Sequence, residues 1–162
     1  MTAVTAYIGI GANLGDARDT VTRAIDMLGQ LPGTSLTARS SLFRTAPVEA
    51  DGDDYVNAVT QIQTQLTAPD LLDALFELEQ QFGRARPYIN APRTLDLDIL
   101  LYGEQRFDSP ALTIPHPRMT MRAFVLIPLL QIDPLLVIPG RGPAHQFVSG
   151  VSDQAINVIP LD

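Results

Sequence analysis

Two aspartates separated by a single residue are the part of the sequence that points most directly to chemistry. Asp96 and Asp98 lie in a stretch that alternates polar and apolar residues, which predicts a β-strand with both carboxylates on one face. The apolar residues assigned to the opposite face are Leu95, Leu97, Ile99 and Leu101. On such a strand the two aspartates stand about 7 Å apart at the backbone, so their oxygens can converge on one or two hard cations such as Mg²⁺. The alternative interpretation is an edge strand with a solvated acidic face.

Arginines are concentrated around this pair. Six of the 11 basic residues, all of which are arginine, fall between residues 84 and 122. They are Arg84, Arg86, Arg93, Arg106, Arg118 and Arg122. Guanidinium groups bind phosphate oxygens bidentately and keep their charge at physiological pH. Carboxylates for a metal and guanidiniums for phosphate oxygens are what a Mg²⁺–nucleotide polyphosphate requires; the alternative is a set of surface ion pairs.

His116 and a group of glycines are further candidates for a functional role. The prolines on either side of His116 fix its backbone, and its imidazole could donate to a phosphate, carry a proton or serve as a structural histidine in a turn. Gly9, Gly11 and Gly15 do not have the spacing of a dinucleotide-binding motif. We therefore interpret the segment from Gly9 to Gly15 as a tight strand-to-helix turn, in which residues 13–16 form the turn that follows the strand. The sequence also lacks the P-loop motif.

The composition excludes several other function classes. The 162 residues, 46% of them hydrophobic, fit one domain over residues 1–162. The net charge of -7 disfavours a nucleic-acid partner bound through phosphate neutralisation. The sequence has neither cysteine nor lysine, which excludes thiolate nucleophiles, cysteine-ligated metals and Schiff-base chemistry. The absence of a signal peptide and of an 18-residue apolar run predicts a cytoplasmic protein without a membrane partner.

Hydrophobic periodicity predicts alternating strands and helices. Strands are predicted at residues 6–11, 34–43, 56–66 and 95–102. Helices are predicted from the first strand to Gly29, from the capping residue Thr67 to Gly83, and near residues 118–130. The order β-α-β-β-α-β followed by a C-terminal extension predicts an α+β, ferredoxin-like fold, with an antiparallel sheet and helices on both sides.

Two segments of about ten residues do not fit any regular element. Residues 44–54 are acidic and residues 84–93 are basic. Loops of this length often act as lids or binding loops. We expect both to close over a ligand.

Taken together, the motifs resemble one family. They lie at residues 7–14, 43–47, 55–57, 79–86, 92–99, 115–119 and 122–124. The most specific part is Arg-x-Leu-Asp-Leu-Asp followed downstream by Pro-His-x-x-Met and Arg-x-Phe. In this order the motifs resemble the 6-hydroxymethyl-7,8-dihydropterin pyrophosphokinases of the folate pathway, and the resemblance extends from residue 7 to about residue 140.

The resemblance implies roles for individual residues. Asp96 and Asp98 would hold two Mg²⁺ ions against the ATP phosphates, and with Arg84, Arg86 and Arg93 they would form the catalytic set. The implied ATP-binding residues are Glu79, Arg84, Arg86, Arg93, Ile99, His116 and Arg122. The implied pterin-binding residues are Thr45, Pro47, Val48, Tyr55, Asn57 and Phe124.

The reaction implied by the resemblance is ATP-dependent pyrophosphoryl transfer to the hydroxymethyl group of 6-hydroxymethyl-7,8-dihydropterin. Its products are the pterin diphosphate and AMP. The expected partners are ATP and the reduced pterin, and the enzyme is expected to be a monomer. A two-metal phosphodiesterase and a non-catalytic ferredoxin-like ligand-binding module are the alternatives. The chain departs from the family pattern at Asn90 and Ala91, where some members have Trp-Gly, and at Ala46, where others have proline. Neither departure involves the aspartate pair.

Overall fold

An antiparallel sheet forms the centre of the computed structural model, which describes residues 2–13, 15–46, 54–83 and 95–160. The strands are β1 (Val4–Ala12), β2 (Thr34–Arg39), β3 (Phe43–Thr45), β4 (Tyr55–Thr64), β5 (Asp96–Tyr102), β6 (Phe107–Asp108), β7 (Thr113–Ile114), β8 (Val137–Ile138), β9 (Gly142–Pro143) and β10 (Ile156–Val158). The α-helices are α1 (Ala17–Leu28), α2 (Ala68–Gly83) and α3 (Ala123–Ile132), and the 3-10 helices are Met119–Met121 and Ala144–Val151.

The strand order of the sheet is β10-β3-β4-β1-β5, and β2 also pairs with β4. All of these pairs are antiparallel. If β2 and β3 are counted as one interrupted strand, this is the arrangement that the β-α-β-β-α-β order predicts. The predicted α+β, ferredoxin-like fold is therefore confirmed. The C-terminal extension is joined to the sheet, because β10 pairs with β3.

Helices α1 and α2 cover one face of the sheet, which we call the core face. Each begins at a side-chain cap: Asp16 accepts the Asp19 N–H at 3.1 Å, and the Thr67 hydroxyl accepts the Asp70 N–H at 3.2 Å. The buried residues of these helices that pack against β1, β4 and β5 are Val21, Ala24, Ile25, Leu28, Ala68, Leu71, Leu75 and Leu78. These contacts bear out the helix periodicity of the sequence.

Helix α3 covers part of the opposite face, which we call the site face. Its buried residues pack with Tyr7, Val59, Leu100 and Leu101 of the sheet and with the 3-10 helix Ala144–Val151. Helices therefore lie on both sides of the sheet, as predicted. The predicted helix near residues 118–130 is observed as the 3-10 helix Met119–Met121 and then α3, with Arg122 extended between them. Within the described residues, no helix is both long and apolar enough to cross a membrane.

Three sequence predictions of local structure were wrong. The predicted strand at residues 34–43 is divided into β2 and β3, because the Ser40 hydroxyl accepts the Val59 N–H at 2.9 Å where a strand carbonyl would do so. The strand predicted at residues 56–66 ends at Thr64, whose hydroxyl accepts the Leu66 N–H at 3.1 Å in a turn. Leu101 lies on the site face and not with Leu97, because the β1–β5 register shifts between Tyr7 and Ile8.

The predicted passage from a strand at residues 6–11 to a turn before the first helix is confirmed. Gly9 and Gly11 lie inside β1 and pair with β4 and β5, and Gly15, with φ of 59°, occupies the turn before α1. Of the two segments predicted to be lids, residues 47–53 and 84–93 lie outside the described residues.

Candidate active site

A cavity of about 620 Å³ opens on the site face, beside the N-terminal end of α3. Its walls come from β1, β3, β4 and β5 and from the segment between His116 and Val125. The predicted site residues that line it are Thr45, Tyr55, Asn57, Asp96, Asp98, His116, Arg122 and Phe124. Residues spread over 80 positions of the sequence, from Thr45 to Phe124, are thus gathered around one space by the sheet pairing.

The floor of the cavity is formed by glycine. In the antiparallel register Gly11 lies between Asn57 and Asp96, and Gly9 is paired with Asp98. Paired residues project to the same face of a sheet, so these glycines leave space where other residues would place side chains. A Cβ atom on Gly11 would stand 2.7 Å from Asn57 Oδ1. The glycines therefore open the space in front of the two carboxylates.

The strand β5 presents Asp96 and Asp98 to the cavity and buries the residues between and beside them. Asp96 is half-buried and Asp98 is exposed, whereas Leu95, Leu97 and Ile99 are buried on the core face. The predicted separation of carboxylates and apolar residues onto two faces is confirmed for these positions. Carboxylate oxygens reaching into a cavity are ligands that suit Mg²⁺.

The described residues contain no group of three or more His, Cys, Asp or Glu side chains placed to hold a metal ion. Two carboxylates and an open space still fit Mg²⁺, because this ion usually keeps waters and takes its other ligands from substrate phosphates. The donor set at β5 therefore suits a metal that arrives with a polyphosphate better than a permanently enclosed metal.

One ring nitrogen of His116 accepts a hydrogen bond from the backbone. The Arg118 backbone N–H donates to Nδ1 at 3.2 Å, so in the neutral ring the proton is on Nε2. Burial lowers the pKa of His116 from its ordinary value, and the charges of Arg122, Arg118 and Arg141 lower it further, while Asp98 opposes them. The imidazole is therefore a neutral Nε2–H donor at pH 7.

Arg122 and Phe124 form the wall at the start of α3. The Arg122 guanidinium lies 5.3 Å from the centre of the Phe124 ring, within the range of a cation–π contact. Arg122 has φ of -129° and ψ of 116°, which separates the 3-10 helix Met119–Met121 from α3. This single extended residue directs its side chain into the cavity.

Asn57 on β4 and Thr45 on β3 form a buried polar pair that lines the cavity. The Asn57 Nδ2 group donates to Thr45 Oγ1 at 2.7 Å, and both residues are buried. Tyr55 lies two residues before Asn57 on β4 and also lines the cavity. An aromatic ring, an amide and a hydroxyl on one wall can recognise a flat heterocycle that carries hydrogen-bonding edges.

Other residues predicted for the site lie elsewhere or outside the described residues. Glu79 accepts the backbone N–H of Leu97 at 2.8 Å, which anchors α2 to β5. Ile99 is buried in the core, with 5% of its surface exposed. Neither side chain lines the cavity, and their roles in ATP binding stay predictions. Arg84, Arg86, Arg93, Pro47 and Val48 lie outside the described residues.

The cavity is also lined by residues to which the sequence assigned no binding role. Sequence patterns do not single out Met121, Val125 or Gln154, they indicate Gly9 and Gly11 only as backbone positions, and they place Arg118 in the arginine cluster without a role of its own. The two glycines alternate within a strand opposite the two aspartates, and that spacing could have identified a glycine floor. Gln154 is 30 residues beyond Phe124, and no local pattern connects them.

Comparison with known proteins identifies the family. A family model for 7,8-dihydro-6-hydroxymethylpterin-pyrophosphokinase (HPPK) matches residues 7–134. A Pseudomonas aeruginosa protein named 2-amino-4-hydroxy-6-hydroxymethyldihydropteridine pyrophosphokinase is 41% identical over 155 residues, covering 95% of this chain and 96% of its own length. A protein of the same name from Haemophilus influenzae is 40% identical over 151 residues, covering 93% and 94% of the two chains.

A solved structure supports the fold. The chain superposes on a Plasmodium falciparum HPPK-DHPS crystal structure with a TM-score of 0.70 at 12% identity. The match covers 91% of this chain and 44% of that one, so the present chain spans less than half of that protein. At this identity the likeness concerns the fold alone.

These findings confirm the predicted resemblance and the predicted class of activity, a transferase that acts in folate biosynthesis. They do not support a phosphodiesterase or a non-catalytic module. By the match of its family model over most of its length and by its identity to the bacterial relatives, the chain belongs to the HPPK family of pterin pyrophosphokinases.

Proposed function

We propose that the chain transfers the pyrophosphoryl group of ATP to the hydroxymethyl oxygen of 6-hydroxymethyl-7,8-dihydropterin. In this reaction the hydroxyl oxygen forms a bond to the β-phosphorus of ATP, and the bond from that phosphorus to the bridging oxygen of the α-phosphate breaks. The hydroxyl proton is released, and AMP and the pterin diphosphate are the products. Such transfer depends on positioning and charge neutralisation more than on a covalent nucleophile.

The observation that carries the proposal is the presence of two kinds of lining residue in one cavity. Asp96, Asp98, His116 and Arg122 provide carboxylates, a neutral N–H donor and a cation. Phe124 beside Arg122, Tyr55 and the Asn57–Thr45 pair add aromatic rings and neutral polar groups to the same cavity. A polyphosphate and a flat heterocycle can therefore be held side by side in one space, as transfer between them requires.

The aspartate pair is proposed to bind two Mg²⁺ ions together with ATP. When bound there, Mg²⁺ would neutralise phosphate charge and polarise the phosphoryl oxygens. Asp96 and Asp98 come from a strand whose other face is fixed in the core, so their backbone positions are rigid. Rigid carboxylates lower the cost of organising charged groups before the reaction.

Cationic and neutral donors are proposed to hold the remaining phosphate oxygens. His116 would donate through Nε2 without first gaining a proton, and Arg122 would contribute a bidentate guanidinium. Arg84, Arg86 and Arg93 complete this proposed set, together with Glu79 and Ile99 for the nucleotide. Their assignment rests on the resemblance of residues 79–99 to the family motif.

The pterin is proposed to bind between the aromatic residues and the polar pair. Phe124 and Tyr55 offer ring faces, and Asn57 and Thr45 offer groups for the heterocycle edge. Pro47 and Val48 belong to the same proposed pocket on the basis of the family motif. The whole chain is proposed to act as one cytoplasmic domain and as a monomer, and its net charge of -7 disfavours a nucleic-acid partner.

The test is product analysis with the purified protein, ATP, Mg²⁺ and 6-hydroxymethyl-7,8-dihydropterin. The expected result is AMP and a pterin diphosphate, formed only when the pterin is present. Formation of ADP with a monophosphorylated pterin would contradict the proposal, as would ATP hydrolysis at a comparable rate without pterin. Omission of Mg²⁺ is the control for the metal requirement.

A further inference from the structure

Gln154 holds both peptide groups that flank Arg122. Its Oε1 atom accepts the Ala123 N–H at 2.9 Å, and its Nε2 group donates to the Met121 carbonyl at 2.9 Å. The first contact satisfies a backbone donor at the start of α3, where Arg122 provides no side-chain cap. The second satisfies the last carbonyl of the preceding 3-10 helix. One side chain thus fixes the backbone on both sides of a single residue.

Arg122, the residue between these two peptide groups, connects the 3-10 helix Met119–Met121 to α3. Arg122 is extended, with helical turns before and after it. The Arg122 carbonyl accepts the Val125 and Leu126 N–H groups at 3.1 and 3.0 Å, so α3 holds the carbonyl of the peptide that follows Arg122. Gln154 provides the partner for the N–H group of that peptide and for the carbonyl of the peptide that precedes Arg122. Fixing those two peptides therefore fixes the direction in which the Arg122 guanidinium enters the cavity.

Gln154 is itself anchored from both directions along the chain. Its backbone N–H donates to the Val151 carbonyl at 3.0 Å, at the end of the 3-10 helix Ala144–Val151. Two residues later Ile156 pairs with Thr45, so β10 ties the segment to the edge of the sheet next to the cavity. Gln154 is half-buried and lines the cavity. The C-terminal extension therefore places the side-chain amide of Gln154 at the cavity and holds its backbone on both sides.

We propose that Gln154 is a positioning residue that orients Arg122 for phosphate binding, and that the C-terminal extension thereby completes the active site. The family model ends at residue 134, before this segment. The inference rests on the proposed function, because it assumes that Arg122 binds a phosphate of ATP. It assigns to Gln154 no contact with the reacting atoms.

Gln131, which lies in α3, provides a matched control for Gln154. Its Oε1 atom accepts the Ser41 N–H at 2.6 Å and its Nε2 group donates to the Ser41 hydroxyl at 2.8 Å. It therefore makes two hydrogen bonds to a distant segment, as Gln154 does to the residues on either side of Arg122. Gln131 does not line the cavity. Gln154→Met and Gln131→Met each keep the length of the side chain and remove both polar groups.

The experiment measures kcat/KM for ATP in AMP formation, and the affinity for a non-hydrolysable ATP analogue with Mg²⁺, in the wild type and both variants. Gln154→Met should lower kcat/KM by about tenfold or more, because a misplacement of about 1 Å can cost up to about a hundredfold. Gln131→Met should keep the wild-type kcat/KM. Both variants should lower the Tm by a similar amount, about 2–4 °C.

A double variant separates positioning from general stabilisation. If Gln154 acts through Arg122, the loss caused by Gln154→Met should largely disappear in an Arg122→Ala background. If Gln154→Met lowers kcat/KM as much in the Arg122→Ala background as in the wild type, the proposal is overturned. Wild-type kcat/KM in Gln154→Met, or an equal loss in Gln131→Met, would also overturn it. A wild type that forms no AMP would instead contradict the proposed function, and the analogue affinities would still report whether Gln154 supports phosphate binding.

Discussion

The two faces of the central sheet use the same strands for different purposes. On the core face, β1, β4 and β5 pack apolar side chains against α1 and α2. On the site face, one part of the same strands packs against α3, while the other part presents glycines, an asparagine and two aspartates to the cavity. Strand β5 shows the contrast within five residues, because Leu95, Leu97 and Ile99 are buried while Asp96 and Asp98 face the cavity.

This division separates the residues that stabilise the fold from those proposed to react. The core face holds more of the buried apolar residues than the site face does, and their burial is the main favourable term in folding. The polar end of the site face can therefore hold glycines and carboxylates at little cost to the core. If the division holds, substitutions on the two faces of one strand should have opposite consequences, and each prediction below tests it.

The largest expected effect follows from removing a carboxylate on the site face. Asp96→Ala or Asp98→Ala should lower the rate of AMP formation by about a hundredfold or more, because loss of a metal ligand costs several kcal/mol of transition-state stabilisation. The Tm should stay near that of the wild type, since neither side chain fills the core. Steady-state kinetics and thermal unfolding measure the two effects. A variant that keeps more than about a tenth of the wild-type rate would show that the pair is a surface feature only.

The next effect concerns the core face of the same strand. Leu97→Ala should lower the free energy of unfolding by about 2–5 kcal/mol, the range for truncating a buried leucine; Leu97 is 6% exposed and packs in the core. Denaturant unfolding measures the change, with Asp98→Ala as the neighbour on the opposite face for control. A loss below about 1 kcal/mol would mean that the two faces do not differ in their contribution to stability.

The sequence predicted the regular parts of this contrast and missed the irregular ones. Alternation in β5 and the helix periods of α1 and α2 identified the core face, because those patterns depend on neighbouring residues. The position of Leu101 depends on a register shift against Tyr7, which is set by β1 and not by the local sequence of β5. The division of β2 from β3 depends in the same way on a contact between Ser40 and Val59.

The candidate site was predictable as a set of residue types and not as a complete structure. The aspartates, His116 and Arg122 stood out by type and spacing, and the family motif added Tyr55, Asn57 and Phe124. The contact of Gln154 with Met121 and Ala123 joins segments more than 30 residues apart. Neither segment has a pattern that indicates the other, so only the folded chain shows it.

A smaller effect is expected from filling the glycine floor. In Gly11→Ala the new Cβ would stand 2.7 Å from Asn57 Oδ1, so the buried amide that donates to Thr45 must shift. We expect the KM for the pterin to rise by about tenfold, which corresponds to about 1.4 kcal/mol, with a smaller change in kcat. Gly9→Ala is the matched control, because its Cβ would meet Leu100 at an ordinary 3.4 Å. An unchanged KM for the pterin in Gly11→Ala would show that Asn57 does not contribute to pterin recognition.

The smallest expected effect is a pH dependence of stability that originates on the site face. Burial lowers the pKa of His116 below its ordinary value, so between the lowered value and about 6.5 the unfolded chain binds more protons at this residue than the folded chain does. The free energy of unfolding should therefore fall as the pH falls through that window, and the contribution should be fully present above it.

Thermal unfolding without divalent cations, at about pH 8 and about pH 5.5, tests this dependence. His116→Asn places an amide oxygen near the position of Nδ1 as an acceptor for the Arg118 N–H and removes the titration. Between the higher and the lower pH, the Tm of the variant should fall less than the Tm of the wild type, by on the order of a degree or two. His145→Asn is the matched control variant, because His145 is exposed on the 3-10 helix Ala144–Val151 and does not line the cavity. Equal losses in His116→Asn and the wild type would show that His116 has the same proton affinity folded and unfolded, and that the cavity does not hold it neutral.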